Sequence, residues 1–286
     1  MNTAPVYRGR FAPSPTGPLH LGSLIAAVAS YLDARHHRGQ WLLRIEDLDP
    51  PREVAGASER ICHSLAAHGL HWDGAVTHQS RRSDSYDAAL AQLETRGLLF
   101  DCCCTRATLG PGGCCGRRCQ PRPGDPVAQR GSIPCERSFQ DLILGEQVLE
   151  DLPDDLVLRR KDGLYAYALA VVVDDALQGV THVIRGADLL GQTPPQIALH
   201  RCLGYTPPAY GHVPVLHNAE GQKLSKQTGA EALDDDRPVE NLLRVLHMLG
   251  QELPSSRDST GSLLAAATAL WDRGRIPETI VGTASP

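Results

Sequence analysis

Apolar and turn-forming segments alternate through the first part of the chain. An apolar segment at 6–12 is followed by a loop rich in proline and glycine, and a run of apolar and small residues then occupies positions 24–32. A second apolar segment follows at 41–45. Short apolar segments bounded by turn residues predict strands, and the longer run predicts a buried helix. A strand, a helix and a strand in succession are typical of a parallel β-α-β unit with a right-handed crossover.

The rest of the chain continues this mixed pattern. Apolar spacings predict further helices at 53–68, 86–97, 195–203, 239–249 and 262–271. Strands are predicted at 182–185 and 210–216, a hairpin around Asp162 and Gly163, and a loop at 121–134. The apolar run at 166–173 fits a helix and a strand equally well.

These elements predict an α/β fold whose nucleotide-binding domain is split along the chain. Residues 1–100 and 175–235 would form a Rossmann-like catalytic domain, residues 101–174 an insertion, and residues 236–286 a short helical region. The sequence contains neither a G-x-G-x-x-G motif nor a Walker loop. Phosphate groups must therefore be bound by other residues.

Composition and charge limit the classes of protein to which the chain can belong. Hydrophobic residues make up 42% and charged residues 21% of the 286 residues, as in ordinary globular enzymes. Because the net charge is −5, a nucleic acid would have to be bound by a local basic patch. The N-terminal stretch lacks an apolar run, so we expect a cytoplasmic protein with no membrane partner, in which the nine cysteines stay reduced.

Two segments carry residues suited to phosphate binding. The segment 16–23 would open the first helix, where free N–H groups favour an anion, with His20 as a hydrogen-bond donor and Gly22 as a point of close backbone approach. Lys223 and Lys226 follow a late strand and can meet a polyphosphate as mobile charges. Taken singly, the first segment also fits a capped helix start with a surface histidine, and the second fits a solvated basic turn.

Charged residues stand at the ends of three predicted strands. Arg10 ends the first strand, Glu46 the second, and Arg185 a later one. In α/β sheets, ligands bind at the carboxyl ends of parallel strands. Two cations and one anion match the two carboxylates and one ammonium group of glutamate, and Tyr165 and Tyr167 offer hydroxyl groups nearby. Considered one at a time, each charged residue also fits a surface ion pair.

Six cysteines lie between positions 102 and 119. Cys102 and Cys104 would point to the same face of a strand, and Cys115 and Cys119 lie four residues apart beside several glycines. Zinc takes four tetrahedral ligands, and thiolates from two short turns suit it. A structural zinc site is therefore expected, with unpaired thiols and disulfides as the alternatives.

The same region has a local excess of positive charge. Residues 102–137 contain six arginines and two acidic residues, in a chain that is acidic as a whole. Such a patch is a candidate RNA-facing surface, although a solvated loop explains it equally well.

Five motifs together resemble the class I glutamyl-tRNA synthetases. They are Arg-Phe-Ala-Pro-Ser-Pro-Thr-Gly at 10–17, His-Leu-Gly at 20–22, Leu-Arg-Ile-Glu-Asp-Leu-Asp-Pro-Pro-Arg at 43–52, Val-Ile-Arg-Gly-Ala-Asp-Leu at 183–189 and Lys-Leu-Ser-Lys-Gln at 223–227. The resemblance covers about residues 1–230. The Asp-Pro-Pro-Arg ending, the cysteine-rich insert and the short stretch after Lys226 are similar to the shortened glutamyl-queuosine tRNA(Asp) synthetases within that family.

The resemblance implies a role for each matching residue. Glutamate would be contacted by Arg10, Phe11, Ala12, Pro13, Ser14, Glu46, Tyr167 and Arg185. ATP, accompanied by Mg²⁺, would be bound by His20, Gly22, Lys223 and Lys226, of which His20 and Lys226 would be catalytic. One zinc ion would be held by Cys102, Cys104, Cys115 and Cys119, leaving Cys103 and Cys114 as spare thiols. Relatives often carry Asn after the tyrosine, where this chain has Ala168.

The resemblance also implies the reaction and its partners. A monomer would activate L-glutamate with ATP and transfer it to the queuosine base of tRNA(Asp), whose anticodon phosphates would meet Arg106, Arg117, Arg118 and Arg122. Two alternatives remain open. One is a glutamyl-tRNA synthetase that charges the 3′ end of tRNA(Glu), and the other is a catalytically silent paralogue that binds RNA.

Overall fold

A parallel β-α-β unit forms the centre of the fold. In a computed structural model, which describes residues 6–105, 107–110, 113–217 and 232–281, the unit consists of β1 (Arg8–Phe11), α1 (Leu21–His36) and β2 (Gln40–Ile45). β1 and β2 are parallel, with Gly9 opposite Trp41. The first three predicted elements are therefore confirmed.

Two helices and a short strand follow β2. They are α2 (Ala57–Ala67), β3 (Thr77–His78), which pairs with β2, and α3 (Ser83–Thr95). The helix predicted from residue 53 begins four residues later than expected. Pro50–Arg52 form a separate 3₁₀ turn, and Gly56 adopts a left-handed conformation with φ of 71° directly before α2. A left-handed residue cannot belong to a right-handed helix, so it sets the start.

Among the described residues, five strands lie between α3 and the next helix. They are β4 (Leu99–Cys102), β5 (Ala128–Ser132), β6 (Ser138–Asp141), β7 (Gly145–Val148) and β8 (Asp155–Arg159). β4, β5 and β8 form an antiparallel sheet. The prediction of a loop throughout 121–134 was wrong for β5, whose polar sequence lacks an apolar alternation because the buried Arg130 takes one of its inward positions.

The next elements complete a four-stranded sheet that also contains β6 and β7. They are α4 (Tyr167–Leu177), β9 (His182–Gly186), α5 (Thr193–Cys202) and β10 (Ala209–Val213), so the ambiguous run at 166–173 is helical. β6 and β9 both pair in parallel with β10, which brings the β6–β7 hairpin of the predicted insertion into this sheet. The backbone N–H of Thr181 donates to the carbonyl of Arg8 at 2.9 Å, which places β9 beside β1.

The predicted turn at Asp162 and Gly163 is confirmed. The N–H of Arg160 donates to the carbonyl of Leu164 at 2.8 Å, and Gly163 has a φ of 85°. The turn therefore returns the chain from β8 to the start of α4.

The last elements pack against α1. They are β11 (Leu216–His217), α6 (Pro238–Met248), α7 (Thr260–Leu270) and β12 (Ile280–Val281), which pairs with β11. Both helices predicted here are confirmed, whereas the strand predicted at 210–216 is divided after Val213, where Pro214 has no N–H to donate. Apolar side chains of α1, α6 and α7 share one core. Within the described residues, no helix is both long and apolar enough to cross a membrane.

A buried carboxylate fastens the C-terminal region to α1. Asp33 accepts hydrogen bonds from Trp271 Nε1 at 2.9 Å and from Arg273 Nε and Nη2 at 2.6 and 2.7 Å, and it also accepts one from the Tyr7 hydroxyl. Burial alone would raise the pKa of Asp33, but the hydrogen bonds from Arg273 and Tyr7 lower it. The carboxylate therefore stays charged inside the protein.

Candidate active site

A cavity of about 920 Å³ opens at the carboxyl ends of β1, β2 and β9. Seven of the residues predicted to contact glutamate line it: Arg10, Phe11, Ala12, Ser14, Glu46, Tyr167 and Arg185. The eighth, Pro13, lines an adjoining cavity, and its carbonyl accepts a hydrogen bond from the Glu46 N–H at 3.0 Å. Ala168 lines neither cavity. Residues from distant parts of the sequence thus meet around one space.

One carboxylate on α4 pairs with two buried arginines, of which Arg10 lines the cavity. Arg10 Nε and Nη2 donate to the two oxygens of Asp175, each at 3.3 Å, and Arg44 Nη2 lies 2.8 Å from the same carboxylate. Burial would raise the pKa of Asp175, but the two guanidinium groups lower it to about 2. The positive charge of Arg10 is therefore partly offset within the protein, by a carboxylate that it shares with Arg44.

The neighbouring acid, Asp174, is held by a second set of donors. It accepts hydrogen bonds from Gln79 Nε2 and the Tyr86 hydroxyl, each at 2.8 Å, and from Arg82 Nε. Sequence reasoning had not assigned Asp174, Asp175 or Arg44 to the site. The signal that could have found the acids is their position directly after the apolar run of α4, because adjacent buried carboxylates need cations.

Glu46, directly after β2, is poised near its titration point. Its Oε1 lies 3.7 Å from Arg44 Nη2. Burial raises the pKa of Glu46 to about 7, against the opposing attraction of Arg44 and Arg10. A bound ammonium group would favour the ionised form, which makes Glu46 a suitable acceptor for the amino group of a ligand.

Arg185, in β9, is a buried cation surrounded by neutral acceptors. Its contacts are His212 Nε2 at 3.1 Å, Gln196 Oε1 at 2.8 Å, Thr193 Oγ1 at 2.8 Å, and the Tyr167 hydroxyl and Leu189 carbonyl at 3.3 Å each. Among the residues that the structure describes, no carboxylate forms an ion pair with it, in contrast to Arg10. Tyr167 and Leu189, which receive its longest contacts, line the cavity. Two of its N–H groups therefore face the space that a ligand would fill.

The second cavity, of about 700 Å³, lies at the start of α1. It shares Phe11, Ala12 and Ser14 with the first, so the two are adjacent. His20 caps α1, and its Nδ1 accepts the N–H of Ser23 at 3.2 Å. The cap is one of the two interpretations that the sequence left open, and it does not exclude the other, because His20 also lines the cavity.

Gly22 has a packing role beside His20. A Cβ at this position would lie 3.2 Å from both Cε1 and Nδ1 of the His20 ring, which is tighter than ordinary contact. The glycine therefore makes room for the histidine. Its predicted approach to a nucleotide stays a prediction.

Lys223 and Lys226 lie outside the described residues. The chain on either side of them lies near the second cavity: Leu216 lines it, Ala232 forms a β-bridge with His20, and the N–H of Leu233 donates to the Leu19 carbonyl at 3.0 Å. The residues that flank the two lysines thus belong to the same region as His20.

The four predicted metal ligands meet at the end of β4. The Sγ atoms of Cys102, Cys104, Cys115 and Cys119 all lie within 4.8 Å of one another. The Cys104–Cys115 and Cys115–Cys119 distances are 3.7 and 3.3 Å. Thiolates bound tetrahedrally at about 2.3 Å from a metal lie roughly 3.8 Å apart. The cluster therefore fits a metal ion. Cys114 Sγ instead accepts the N–H of Asp154 at 3.1 Å.

Asp155 of β8 supports this cluster from behind. One of its oxygens accepts the N–H groups of Cys115 and Gly116 at 2.9 and 2.7 Å, and the other pairs with Arg130. Asp155 and Arg130 are both buried. This pairing reduces the basic surface expected between 102 and 137, because Arg130 is turned inward to balance a carboxylate.

Other arginines of that surface differ in their contacts with the protein. Arg117 stacks over Phe100 at 4.9 Å and donates to the Gly97 carbonyl, and Arg118 Nε donates to the Cys115 carbonyl at 3.0 Å. Arg122 is exposed, and Arg106 lies outside the described residues. The binding of RNA phosphates by this surface stays a prediction.

Known proteins that are similar to this chain agree with the arrangement of the site. Residues 7–111 and 120–260 match the family of class I tRNA synthetases (E and Q), catalytic domain. The chain is 48% identical to the glutamyl-Q tRNA(Asp) synthetase of Dechloromonas aromatica, covering 95% of this chain and 96% of the relative. It is 49% identical to the enzyme of that name from Xanthomonas campestris, covering 95% and 93%. The chain belongs to the glutamyl-Q tRNA(Asp) synthetase family.

Solved structures agree with a class I synthetase fold. The glutamate-tRNA synthetase of Elizabethkingia anophelis superimposes with a TM-score of 0.83 at 26% identity, covering 98% of this chain and 68% of that one. A glutamate tRNA ligase from Elizabethkingia meningosepticum, solved with its amino acid, gives 0.82 at 26% identity, covering 97% and 67%. The predicted class I synthetase fold is confirmed, and the chain is a ligase of this family.

Proposed function

We propose that the protein activates L-glutamate with ATP and transfers the glutamyl group to the queuosine base of tRNA(Asp). The observation that carries the amino-acid part is Arg185, a buried cation without a carboxylate partner among the described residues, which faces the same cavity as Glu46. The names of the relatives supply the acceptor.

Glutamate fits the charges of the first cavity. Its ammonium group pairs with Glu46, whose pKa of about 7 allows ionisation near neutrality. One carboxylate takes the N–H groups of Arg185 that now reach Tyr167 and Leu189 at 3.3 Å. Arg10, already held by Asp175, contributes a fixed positive potential beside the second carboxylate. Glutamine would leave one guanidinium without an anion.

The activation step takes place where the two cavities adjoin. The glutamate α-carboxylate attacks the α-phosphorus of ATP, a P–O bond forms, and pyrophosphate leaves with the electrons of the bond that breaks. Mg²⁺ accompanies ATP and offsets part of its phosphate charge. His20, Lys226 and the N–H groups at the start of α1 stabilise the phosphates, so the protein contributes position and electrostatics.

The transfer step uses the outer part of the first cavity. A hydroxyl of the queuosine cyclopentenediol attacks the glutamyl carbonyl, an ester forms, and AMP leaves. Arg52, Asp49 and Arg160 line this outer part, where Arg52 Nε and Arg160 Nη1 lie 2.5 and 3.3 Å from Asp49 Oδ2. These cations suit the phosphates that flank an unstacked anticodon base.

The cysteine cluster would hold a structural zinc ion. Four thiolate ligands leave no open position for a substrate, so the ion orders the loops around it. Lys161 Nζ donates to the carbonyl of Cys103 at 2.7 Å, which connects this region to the turn that carries Arg160. The metal would thereby help to position the mouth of the cavity.

Exchange of labelled pyrophosphate into ATP tests the first step. We expect exchange with glutamate and at least roughly 10-fold less with glutamine, since a charge-assisted hydrogen bond contributes about 1.5–3 kcal/mol. Arg185→Ala should abolish exchange and leave ATP binding nearly unchanged. Arg257→Ala, at a residue that lines neither cavity, is the matched control. Equal exchange with glutamine, or no exchange at all, would contradict the assignment, and the latter would favour a silent RNA-binding paralogue.

Defined tRNAs test the second step. tRNA(Asp) that carries queuosine should accept labelled glutamate, and the unmodified transcript should not. Removal of the 3′-terminal adenosine should leave acceptance intact, because the acceptor would be the anticodon base. Charging of tRNA(Glu) at its 3′ end would contradict the proposed acceptor.

A further inference from the structure

A buried histidine lies between Arg185 and a carboxylate of the β6–β7 hairpin. Arg185 Nε lies 3.1 Å from His212 Nε2, and His212 Nδ1 lies 2.6 Å from Asp141 Oδ2. His212 is 0% exposed, and Asp141 and Arg185 are 2% and 4% exposed. The three side chains therefore form a buried chain of contacts from the sheet to the wall of the cavity.

The donors in this chain have only one consistent arrangement. A guanidinium N–H can only donate, so His212 Nε2 must accept from Arg185. The proton of the imidazole is then on Nδ1, which donates to Asp141. Burial lowers the pKa of His212, which favours this neutral form.

Asp141 is itself fixed by the backbone. Its Oδ1 accepts the N–H groups of Ile143 and Leu144, each at 2.9 Å, and that of His212 at 3.2 Å. Hydrogen bonds from several backbone N–H groups hold a carboxylate in place and favour its charged form. The turn between β6 and β7 thus holds Asp141, the end of the chain of contacts that lies farthest from the cavity.

We propose that Asp141 and His212 are positioning residues that orient Arg185 toward the carboxylate of the amino-acid substrate without neutralising it. The inference rests on the proposed function for the identity of that substrate. Arg10 provides the contrast, because Asp175 contacts it directly and offsets part of its charge. At Arg185 a neutral imidazole separates the guanidinium from the carboxylate. The geometry is fixed, and the full charge remains for the ligand.

Three substitutions separate positioning from simple packing. In Asp141→Asn, the side-chain oxygen keeps the backbone N–H groups and its NH₂ faces His212 Nδ1. The imidazole proton must then move to Nε2, where it opposes Arg185 Nε–H. In His212→Leu the acceptor is lost, whereas in His212→Gln an amide oxygen can still accept from Arg185. His200→Leu is the matched control, because His200 is also buried and neither of its ring nitrogens has a hydrogen-bond partner among the described residues.

Titration calorimetry measures the Kd of each variant for glutamate and for ATP, and it does not require catalysis. We expect Asp141→Asn and His212→Leu to weaken the Kd for glutamate at least roughly 10-fold, with the Kd for ATP within about twofold of the parent protein. His212→Gln should recover most of the affinity, and His200→Leu should retain it. In pyrophosphate exchange, the KM for glutamate should rise more than kcat falls.

Two outcomes would overturn the proposal. One is a parental Kd for glutamate in Asp141→Asn, a variant that preserves shape and can be checked by its melting temperature. The other is an equal loss of affinity for ATP, which would indicate general loosening. Normal glutamate binding without transfer to tRNA(Asp) would contradict the proposed acceptor instead, and the effect of Asp141→Asn on the Kd would still decide the role of His212.

Discussion

Asp175 contacts both N–H groups on one edge of the Arg10 guanidinium, each at 3.3 Å, while the two side chains are only 2% and 4% exposed. The same carboxylate lies 2.8 Å from Arg44. One carboxylate therefore lies between two buried cations from β1 and β2, and it links α4 to both strands.

Replacement of Asp175 by Asn should destabilise the protein strongly. Breaking a buried ion pair by removing one partner costs about 3–5 kcal/mol, because the remaining charge has no compensation. Urea denaturation should show a lower midpoint with a similar slope. Asp162→Asn, at an exposed turn position, is the control and should stay within about 0.5 kcal/mol of the parent. An unchanged midpoint for Asp175→Asn would show that the pairing does not stabilise the fold.

Glu46→Gln should stabilise the folded protein at pH 8. The ordinary pKa of this carboxyl is 4.5, and burial raises it to about 7 in the fold. The stability that protonated Glu46 contributes is present below the ordinary pKa and is lost as pH rises through about 7. An amide cannot ionise, so the variant should avoid this loss, which amounts to about 3 kcal/mol at pH 8. Melting curves at pH 5 and pH 8 should show a much larger gain at the higher pH.

Glutamate binding should weaken as the pH falls below about 7. The substrate ammonium group pairs with ionised Glu46, and protonation removes that anion. The Kd for glutamate, measured by calorimetry from pH 5.5 to 8, should rise at the acid end. The Kd of Glu46→Gln should be weak and should lack this pH dependence. A parallel pH dependence in that variant would assign the titration to another group.

Metal content should depend on one set of cysteines. Protein purified without chelator should contain about one zinc per chain by mass spectrometry. Cys119→Ser should lower this content, whereas Cys103→Ser, outside the four-thiol cluster, should not. Asp155→Ala should also lower it, because the N–H groups of Cys115 and Gly116 lose their acceptor. Metal-free protein with parental stability would refute the site.

Arg160→Ala should separate the two steps of the reaction. Arg160 lines the outer part of the first cavity, lies 3.3 Å from Asp49, and is not among the residues predicted to contact glutamate. We expect pyrophosphate exchange within about twofold of the parent and glutamylation of tRNA(Asp) reduced roughly 10-fold, because one phosphate contact is lost. Arg257→Ala should affect neither assay. An equal fall in both assays would place Arg160 in the activation site.

The sequence allowed the β-α-β unit and most helices to be predicted, because these depend on contiguous patterns. The motif residues around Arg10, Glu46 and Arg185 also meet as expected. What could not be predicted are the partners that hold them. Arg10 and Asp175 are 165 positions apart, and no local pattern in a sequence indicates which buried acid will face which arginine.

His212 was missed for a related reason. A single histidine in the apolar strand β10 looks like a core residue until its two neighbours, Asp141 and Arg185, are placed beside it. β5 was missed because its pattern of exposure follows a buried ion pair rather than apolar side chains. Buried ion pairs are therefore harder to recognise in a sequence than buried apolar side chains, which recur at regular spacings.

The anchoring of Asp33 has a consequence for synthesis on the ribosome. Its carboxylate lies in the first helix, and the guanidinium that neutralises it is 240 positions later. Throughout most of translation the nascent chain thus carries an acid whose native cation does not yet exist. Burial of Asp33 before Arg273 emerges would leave its charge without this cation, so we expect α1 to reach its final packing late in synthesis.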